Sequence, residues 1–419
     1  MTMGPRSRTH LLQPFICTHC RGKGRTLLRR QSRNFATSPS TSSAAPPSGE
    51  LKYLQLTNRT LIRLAGPDAA NFLFNLVPAR ILGTGGSSRP IYTAFLSAHG
   101  RILNDVFIYP PTADDGANGE EWFVEVDSDS AGDLMKHLRK HKLRAKFQLD
   151  KVDPGKMGVY YNWPSSSSSS AESARPTRGG QDPRPGMGLR WLDDTTTATK
   201  PEAVRRLEDK GAKAASLQDY TIHRILNGIA EGQTELPAAG SLPQESNIDF
   251  FGGIDFMKGC YLGQELTIRT HHTGVVRKRI LPCQLYEGDQ PLSSDQPLPV
   301  YEPDTHLPMP PSQSNISKLN ARGRGRSSGK WLSGVGNIGL ALCRLEMMTD
   351  IQLTADTSNY DPKEQYKVQW EVEGQEGKQE VMIKPFVPQW LRDGVEQNLR
   401  RKERKSRPVE EQDEDEEVD

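Results

Sequence analysis

The hydrophobic pattern changes once along the chain, near Val276, and this change limits the folds that are available. Before it, some stretches have apolar residues at helical spacing and others have short β-branched runs. After it, the apolar runs have strand character, and Val368, Trp370 and Val372 alternate. Mixed helices and strands are typical of an α+β domain, whereas successive short strands are typical of a barrel or sandwich. We therefore predict an α+β region over residues 51–275 and a small C-terminal β-barrel over residues 276–391.

Hydrophobic spacing also predicts individual elements. Apolar residues at i, i+3, i+4 and i+7 predict helices over residues 69–76 and 222–229. Ile91–Leu96 and Leu103–Tyr109, with a glycine turn between them, predict a β-hairpin, and alternation around Val124 predicts a half-buried strand. The predicted barrel strands are Arg279–Leu285, Gly339–Leu345, Lys367–Val372 and Val381–Ile383.

Three stretches of low complexity interrupt or follow these regions. A run of six serines begins a polar stretch, and we predict a disordered insertion over residues 163–186. A Pro-, Ser- and Gly-rich stretch predicts a loop insertion in the barrel over residues 303–329. A basic run followed by an acidic run predicts a charged disordered tail over residues 392–419.

The N-terminal segment has the composition of a targeting sequence. Its first 49 residues contain eight basic and no acidic residues, which is typical of a mitochondrial transit peptide. We predict a transit peptide over residues 1–37 and a flexible linker over residues 38–50. The whole chain has 54 basic and 52 acidic residues, so removal of these eight leaves 46 against 52 and no general attraction to nucleic acid. No apolar stretch is long enough to form a transmembrane segment.

Cysteine spacing excludes two kinds of site. Cys17 and Cys20 lie in the predicted transit peptide, and Cys260, Cys283 and Cys343 are dispersed. This spacing supports neither a disulfide framework nor a cysteine-only metal site. We expect no stably bound metal.

The segment that carries the most chemistry is Lys258-Gly259-Cys260-Tyr261-Leu262-Gly263-Gln264-Glu265. Its two inner glycines bracket Cys260 and Tyr261 ahead of an apolar segment, which predicts a loop that passes into a helix. The N–H groups at a helix start favour negative charge, so they hold a carboxylate or lower the pKa of a thiol. Lys258 would add a positive charge, and Gln264 and Glu265 would bind a partner or clamp the loop.

The residues alone leave other interpretations open. In one, Cys260 is a small buried hydrophobe and Glu265 complements the positive helix start. In another, Cys260 is a nucleophile paired with His271 or His272, although no third orienting residue is evident. The two adjacent histidines point in different directions and do not easily share one metal.

A second glycine pattern occurs in the barrel region. Gly334-Val335-Gly336-Asn337-Ile338-Gly339 fits the Gly-x-Gly-x-x-Gly spacing of dinucleotide sites. It lies in strand-rich sequence without an evident βαβ unit. A β-turn with strand glycines is predicted instead.

The eight-residue segment resembles the signature of the YgfZ-type folate-binding proteins, which are related to the glycine-cleavage T-protein (GcvT). The run from Leu242 to Arg279 is similar to the mitochondrial iron–sulfur cluster assembly members of that family. A weaker resemblance covers about residues 51–391, outside the insertions and the tail. Long insertions of this kind are similar to those of fungal members.

The resemblance implies a GcvT/YgfZ-like folate-binding region that binds a tetrahydrofolate-type ligand in a central cavity. It also implies a mitochondrial matrix factor that matures [4Fe–4S] client enzymes together with A-type carrier proteins. Glu245 resembles the acidic residue that hydrogen-bonds the pterin edge, and Cys260 matches the motif cysteine. The ligand-binding residues so implied are Glu245, Asn247, Lys258, Gly259, Tyr261, Gly263, Gln264 and Glu265.

The chain departs from the related aminomethyltransferases at one catalytic position. The positions that resemble the acidic pair of those enzymes are Asn104 and Asp105 in this chain, so Asp105 alone is the candidate carboxylate. Three hypotheses follow: an assembly factor, which we favour, a folate-dependent one-carbon transferase that requires Asp105, and a degenerate docking fold without folate. Without the resemblance, Glu245 would be interpreted as a turn or helix-cap residue after Pro243, and Asp105 as a turn residue at a strand end. Three roles of Cys260 stay open: a nucleophile, a transient cluster ligand and a redox-sensitive structural thiol.

Overall fold

The computed structural model describes most of the chain after residue 49. The described residues are 50–83, 89–112, 121–163, 178–195, 200–288, 292–293, 296–319, 327–353, 360–372 and 377–406. The predicted transit peptide, the linker up to residue 49, the serine run and the acidic end of the tail lie outside these residues.

A first five-stranded sheet joins the start of the α+β region to its middle. Its strands are β1 (Lys52–Gln55), β7 (Met157–Asn162), β8 (Arg178–Gln181), β9 (Leu189–Asp194) and β10 (Lys213–Ala214). They lie in the order β10-β1-β7-β9-β8, and only the β1–β10 pair is parallel.

A second five-stranded sheet contains the predicted hairpin. Its strands are β2 (Arg59–Ala65), β3 (Ile91–Leu96), β4 (Ile102–Tyr109), β5 (Glu121–Asp127) and β6 (Gln148–Lys151). They lie in the order β3-β4-β5-β2-β6, and β3 and β4 pair antiparallel as predicted. The prediction of a half-buried strand is wrong for β5, because its alternate residues Phe123 and Glu125 are also buried.

Helices cover one face of this second sheet, and the rest of the α+β region covers the other. The helices of this region are α1 (Ala69–Leu76), α2 (Ala131–Lys142), α3 (Glu202–Asp209), α4 (Leu217–Leu226) and α5 (Gln264–Thr273). Leu73 of α1 and Leu138 of α2 pack with Ile62 and Val124 in one core, which confirms the helix predicted at residues 69–76. The second predicted helix is confirmed as α4, whose Ile225 belongs to the core between the two sheets.

The predicted disordered insertion is wrong at its C-terminal end. Residues 178–181 form β8, and Arg178, Asp182 and Arg184 are buried. The low apolar content of this segment concealed its order, because its buried side chains are charged and are held by ion pairs.

The C-terminal region is a closed six-stranded barrel, as predicted. Its strands are β11 (Lys278–Tyr286), β12 (Asn315–Lys318), β13 (Gly329–Val335), β14 (Ile338–Arg344), β15 (Tyr366–Glu371) and β16 (Lys378–Pro385). The barrel closes in the order β11-β14-β13-β12-β15-β16 around the fully buried Trp331. The predicted loop insertion is wrong at residues 315–318, which form β12.

The glycine pattern of the barrel is a turn between β13 and β14, as predicted. Gly336 has a φ of +60° in that turn. A Cβ atom on Gly339 would lie 2.0 Å from the Trp331 ring, so the strand glycine makes room for the buried indole. Among the described elements on either side of the pattern, none forms a βαβ unit.

Two further helices complete the described fold, α6 (Leu345–Met348) and α7 (Gln389–Ser406). The prediction of disorder is therefore wrong for residues 392–406. Leu391 and Val395 of α7 pack on the barrel core, and Lys402 donates to the carbonyl oxygen of Gly274 at the end of α5. Within the described ranges, no helix is long and apolar enough to cross a membrane.

Candidate functional site

A cavity of about 430 Å³ lies between the α+β region and the barrel. The segment 235–246 forms one side, and β11, β13 and β14 form the other. Its lining is mixed, with apolar side chains such as Leu242, Ile280 and Leu332 between charged ones. The charged residues that line it are Arg101, Glu235, Glu245, Lys278, Lys330 and Arg344.

Glu245 is the predicted ligand residue that the structure places at this cavity. Its backbone oxygen accepts a hydrogen bond from the N–H of Ile280 at 3.0 Å, which fixes the turn against β11. Its carboxylate lies 3.7 Å from the Lys278 ammonium and is partly exposed. A carboxylate in this position accepts hydrogen bonds from adjacent N–H donors of a ligand.

Asn247 has a structural position in the same turn. It adopts a φ of +63°, a conformation that asparagine tolerates better than most residues, and it is buried. Its side-chain amide donates to the carbonyl oxygen of Ile280 at 2.9 Å. The side chain predicted to contact a ligand therefore ties the turn to β11 and does not line the cavity.

The segment 258–265 lies away from the cavity, against the end of α1. The Lys258 ammonium donates to the carbonyl oxygens of Phe74, Val77 and Ala79 at 2.6, 2.6 and 3.1 Å. It also lies 4.0 Å from the centre of the Phe74 ring. Burial lowers the pKa of Lys258 to about 8. Lys258 thus caps the C-terminal end of α1, where carbonyl groups lack helical partners.

The loop between Lys258 and α5 presents the thiol to solvent. Gly259 and Cys260 are exposed, whereas Tyr261 is buried beside them. The Tyr261 N–H donates to Gln264 Oε1 at 3.1 Å, so Gln264 clamps the loop. Glu265 is exposed, 3.9 Å from Arg269. The interpretation of Cys260 as a buried hydrophobe is therefore wrong.

The structure does not bring Cys260 and a histidine together as a catalytic pair. The His271 ring stacks on Phe256 and its Nδ1 lies 3.2 Å from an Arg401 nitrogen. Cys260 makes no side-chain hydrogen bond to any residue that the structure describes. Among all the residues that the structure describes, no group of three His, Cys, Asp or Glu side chains is placed to hold a metal ion.

Two glycines join this loop to the cavity wall. Gly263 is the N-cap residue of α5 and has a φ of +79°, and a Cβ atom on it would lie 2.3 Å from the carbonyl oxygen of Ser97. A Cβ atom on Gly100 would lie 2.8 Å from the carbonyl oxygen of Gly263. The next residue, Arg101, lines the cavity. The β3–β4 turn is therefore the physical connection between the thiol loop and the cavity.

Asp105 belongs to a buried cluster of charges that sequence analysis did not find. Asp105 accepts from the Arg59 guanidinium at 3.3 Å and from the N–H of Gly232 at 3.0 Å. Burial raises its pKa, although the Arg59 charge acts in the opposite direction. The cluster comprises Arg59, Asp105, Glu125, Asp182, Arg184, Arg190, Tyr220, Arg224, Glu231 and Glu235.

The cluster reaches the cavity at Glu235. Arg224 donates to both oxygens of Glu235, at 2.9 and 3.2 Å, and Ser333 of the barrel donates to Oε1 at 2.8 Å. Glu235 is thereby held in an ion pair with Arg224, and Asp105 is fully buried and does not line the cavity. One sequence signal marked the cluster, namely Arg190 inside the apolar run 189–192, because an unpaired arginine is rarely buried.

Comparison with known proteins places this architecture in a family. The chain is 44% identical over 422 residues to the "Iron-sulfur cluster assembly factor IBA57 homolog, mitochondrial" of Aspergillus oryzae, with 93% of each chain covered. It is 45% identical over 409 residues to the Aspergillus clavatus protein of the same name, with 91% of this chain and 90% of that protein covered. The chain belongs to this family. The mitochondrial location predicted from the N-terminal segment is confirmed by these relatives.

Two further comparisons concern the fold. The family model "CAF17, C-terminal beta-barrel domain" matches residues 277–393. The crystal structure of glycine cleavage system aminomethyltransferase T from Bartonella henselae matches with a TM-score of 0.55 at 12% identity, covering 81% of this chain and 86% of that chain. The predicted GcvT-like α+β fold with a C-terminal barrel is confirmed, and at this identity the likeness concerns the fold alone.

Proposed function

We propose that this mitochondrial iron–sulfur cluster assembly protein acts in the matrix, binds a tetrahydrofolate-type ligand in the cavity beside Glu245, and supports the maturation of [4Fe–4S] enzymes with A-type carrier proteins. The observation that carries the ligand proposal is the position of Glu245, a partly exposed carboxylate fixed to β11 at the cavity wall.

The cavity has the size and chemistry that such a ligand requires. Its volume of about 430 Å³ falls within the range of roughly 300–1,000 Å³ that is typical of small-molecule sites. Glu245 would accept from the N–H groups of the pterin edge, the apolar residues would contact the rings, and the lysine and arginine side chains would hold the terminal carboxylates. When bound, a tetrahydrofolate supplies nitrogen atoms that carry one-carbon units.

The burial of Asp105 favours the assembly role over a one-carbon transferase. A transferase needs a carboxylate that reaches the reacting atoms. Asp105 is fully buried against Arg59 and Gly232, and Glu235 is held by Arg224. Glu245 alone remains accessible among the carboxylates of the described cavity wall.

The exposed Cys260 loop is the surface that we propose for protein partners. Gly259, Cys260 and the neighbouring Met257, whose exposed fraction is 86%, form a solvent-facing stretch beside the end of α1. A thiol in such a position is open to a transient contact with a carrier or a client. Gln264 and Lys258 hold the loop in place.

The ligand proposal is tested by titrating the purified full-length protein with 5-formyltetrahydrofolate in a calorimeter. Glu245→Gln should weaken binding about tenfold or more, because it removes an ionised acceptor. Glu265→Gln, an exposed carboxylate in the motif, serves as the matched control and should bind like the wild type. Absence of binding by the wild type would exclude the ligand and favour a docking fold.

The assembly proposal is tested by depletion of the protein and complementation. Wild type and Lys378→Gln, which removes an exposed barrel lysine outside this surface, should restore [4Fe–4S] enzyme activities, and Cys260→Ala should not, while a [2Fe–2S] enzyme stays unchanged throughout. Aminomethyl transfer by the purified protein, with unaffected cluster enzymes after depletion, would instead support the transferase.

A further inference from the structure

A basic surface that the proposed function does not use lies on α2 and on the turn that follows it. Leu134 and Leu138 pack α2 on the core of the second sheet, which leaves the other side of the helix to solvent. Residues 131–147 contain one acidic residue, Asp133, and six lysines and arginines. The α2 basic surface comprises Lys136, Arg139, Lys140, Lys142, Leu143, Arg144 and Lys146.

Most of these cations are not neutralised within the protein. The Asp133 carboxylate lies 2.8 Å from the Lys136 ammonium, and the Lys142 ammonium lies 5.2 Å from the centre of the Phe147 ring. In the described part of the chain, the five cations other than Lys136 have no acidic partner within 4 Å. The excess of positive charge is local, because the chain without its first 49 residues has 46 basic and 52 acidic residues.

Leu143 stands among these cations in a conformation that glycine usually adopts. It has a φ of +45° and a ψ of −111°, and its exposed fraction is 88%. The N–H of Ala145 donates to the carbonyl oxygen of Lys142 at 2.9 Å and closes the turn. A positive φ at the first central position of a turn favours glycine, and strain of this kind is concentrated at functional sites. The turn therefore holds an apolar side chain in solvent between basic ones.

We propose that the α2 basic surface docks on an anionic phospholipid membrane, with the cations at the phosphate groups and Leu143 inserted between the lipids. Clusters of about four to eight lysines and arginines on an amphipathic helix bind anionic lipid surfaces. One leucine adds too little apolar area for permanent anchoring, so the contact is weak and reversible. None of these residues lines the cavity beside Glu245, so that cavity stays accessible on the docked protein.

The composition of the surface favours a lipid over another macromolecule. Lysine is depleted from protein–protein interfaces, yet four of the six cations here are lysines. A nucleic acid would pair its phosphates with the cations but would gain little from an exposed leucine. A bilayer offers phosphate groups for the cations and acyl chains for Leu143.

The test is sedimentation of the protein with lipid vesicles. The protein is purified from mitochondria, so that the basic N-terminal segment predicted to be cleaved does not contribute to binding. Vesicles of phosphatidylcholine and cardiolipin at a molar ratio of about four to one are compared with phosphatidylcholine alone. We expect binding to the anionic vesicles only, and weaker binding at about 500 mM salt because the charges are then screened.

A triple variant locates the charges. Arg139→Gln combined with Lys140→Gln and Lys146→Gln should weaken vesicle binding about a hundredfold, because each cation near an anionic surface contributes about a fivefold effect. The matched control removes one arginine and two lysines that are exposed elsewhere and should bind like the wild type. Its substitutions are Arg205→Gln, Lys363→Gln and Lys378→Gln.

A second variant separates the leucine from the fold. Leu143→Gly should weaken vesicle binding about fivefold, because it removes the apolar side chain that inserts. It should not lower the thermal midpoint, because glycine adopts a positive φ without strain. Unchanged vesicle binding by this variant would overturn the role of Leu143.

The remaining outcomes decide the docking proposal itself. Equal binding of the wild type to both kinds of vesicle overturns it, as does a triple variant that still binds or a control that loses as much. Suppose that the wild type binds no vesicles and that cells with the triple variant lose [4Fe–4S] enzyme activities. The surface would then belong to a protein partner, and the lipid proposal would be wrong.

Discussion

Replacement of Lys258 by methionine tests whether this motif residue acts on the fold or on a ligand. Methionine keeps most of the apolar stem over Phe74 but removes the ammonium that donates to three carbonyl oxygens at the end of α1. Hydrogen bonds to a charged group stabilise by about 1.5–3 kcal/mol each, and a cation at a helix C-terminus adds about 0.5 kcal/mol.

The net loss is smaller than the sum of these contributions. Burial lowers the pKa of Lys258 to about 8, which means that the charged form loses hydration in the folded state. Lys258 is also partly exposed, so water replaces some of the lost donors in the variant. We therefore expect a destabilisation of about 2 kcal/mol, with little change in folate affinity.

Thermal unfolding of the full-length protein measures this effect. A loss of about 2 kcal/mol corresponds to a midpoint about 5 °C lower for a region of this size. Lys330→Met, an exposed lysine on the cavity wall, is the matched control and should leave the midpoint unchanged. An unchanged midpoint together with lost folate binding in the Lys258 variant would show that Lys258 contacts the ligand, and would refute the capping role.

Three more predictions test the surrounding structure. Gly263→Ala should destabilise by about 2 kcal/mol or more in urea, because its Cβ atom meets the carbonyl oxygen of Ser97 at a positive φ; equal stability would disprove that contact. Glu125→Gln should lower the free energy of unfolding by about 3 kcal/mol, which is more than the loss expected for Asp105→Asn. The reason is that two guanidinium groups hold Glu125 and lower its pKa, whereas burial raises the pKa of Asp105. The reverse order in urea titrations would contradict this ranking. Burial lowers the pKa of His223 to about 4. Between pH 6.5 and pH 4 the unfolded chain therefore binds more protons than the folded protein. The free energy of unfolding should fall by up to about 3 kcal/mol as the pH falls through that range. His223→Gln should reduce this slope, and an unchanged slope in unfolding experiments across that range would exclude the histidine as a cause.

Local patterns predicted the secondary structure of the site well. The glycines around Cys260 predicted a loop that passes into a helix, and α5 begins at Gln264. The clamp by Gln264 spans three residues and was one of the two roles predicted for it. Interactions between residues this close in sequence depend on the backbone that they share, so sequence spacing describes them.

The partners of Lys258 could not be found in the same way. Its acceptors lie 179 to 184 residues away, at the end of a helix in the first third of the chain. In sequence a lysine in a glycine-rich motif has the appearance of a ligand residue. Which of the two roles it has depends on the packing of α1 against the motif loop.

The buried charges were the largest omission. Residues 182–184 lie in a polar stretch that looks disordered, yet Arg184 is fully buried between Asp182 and Glu231. Composition predicts disorder there because charged residues rarely bury enough apolar area to offset chain entropy. The paired charges overcome this cost only when distant strands bring their partners together.

The sequence by itself determined the mitochondrial location, the division into an α+β region and a barrel, and the loop that carries Cys260. Only the tertiary structure decided that Glu245 lies at a cavity while Lys258 and Asn247 support the fold, and that Asp105 is enclosed by arginines. The physical reason is the range of the interactions. Hydrophobic periodicity and turn chemistry act between near neighbours, whereas cavities and buried ion pairs exist only where segments far apart in sequence meet.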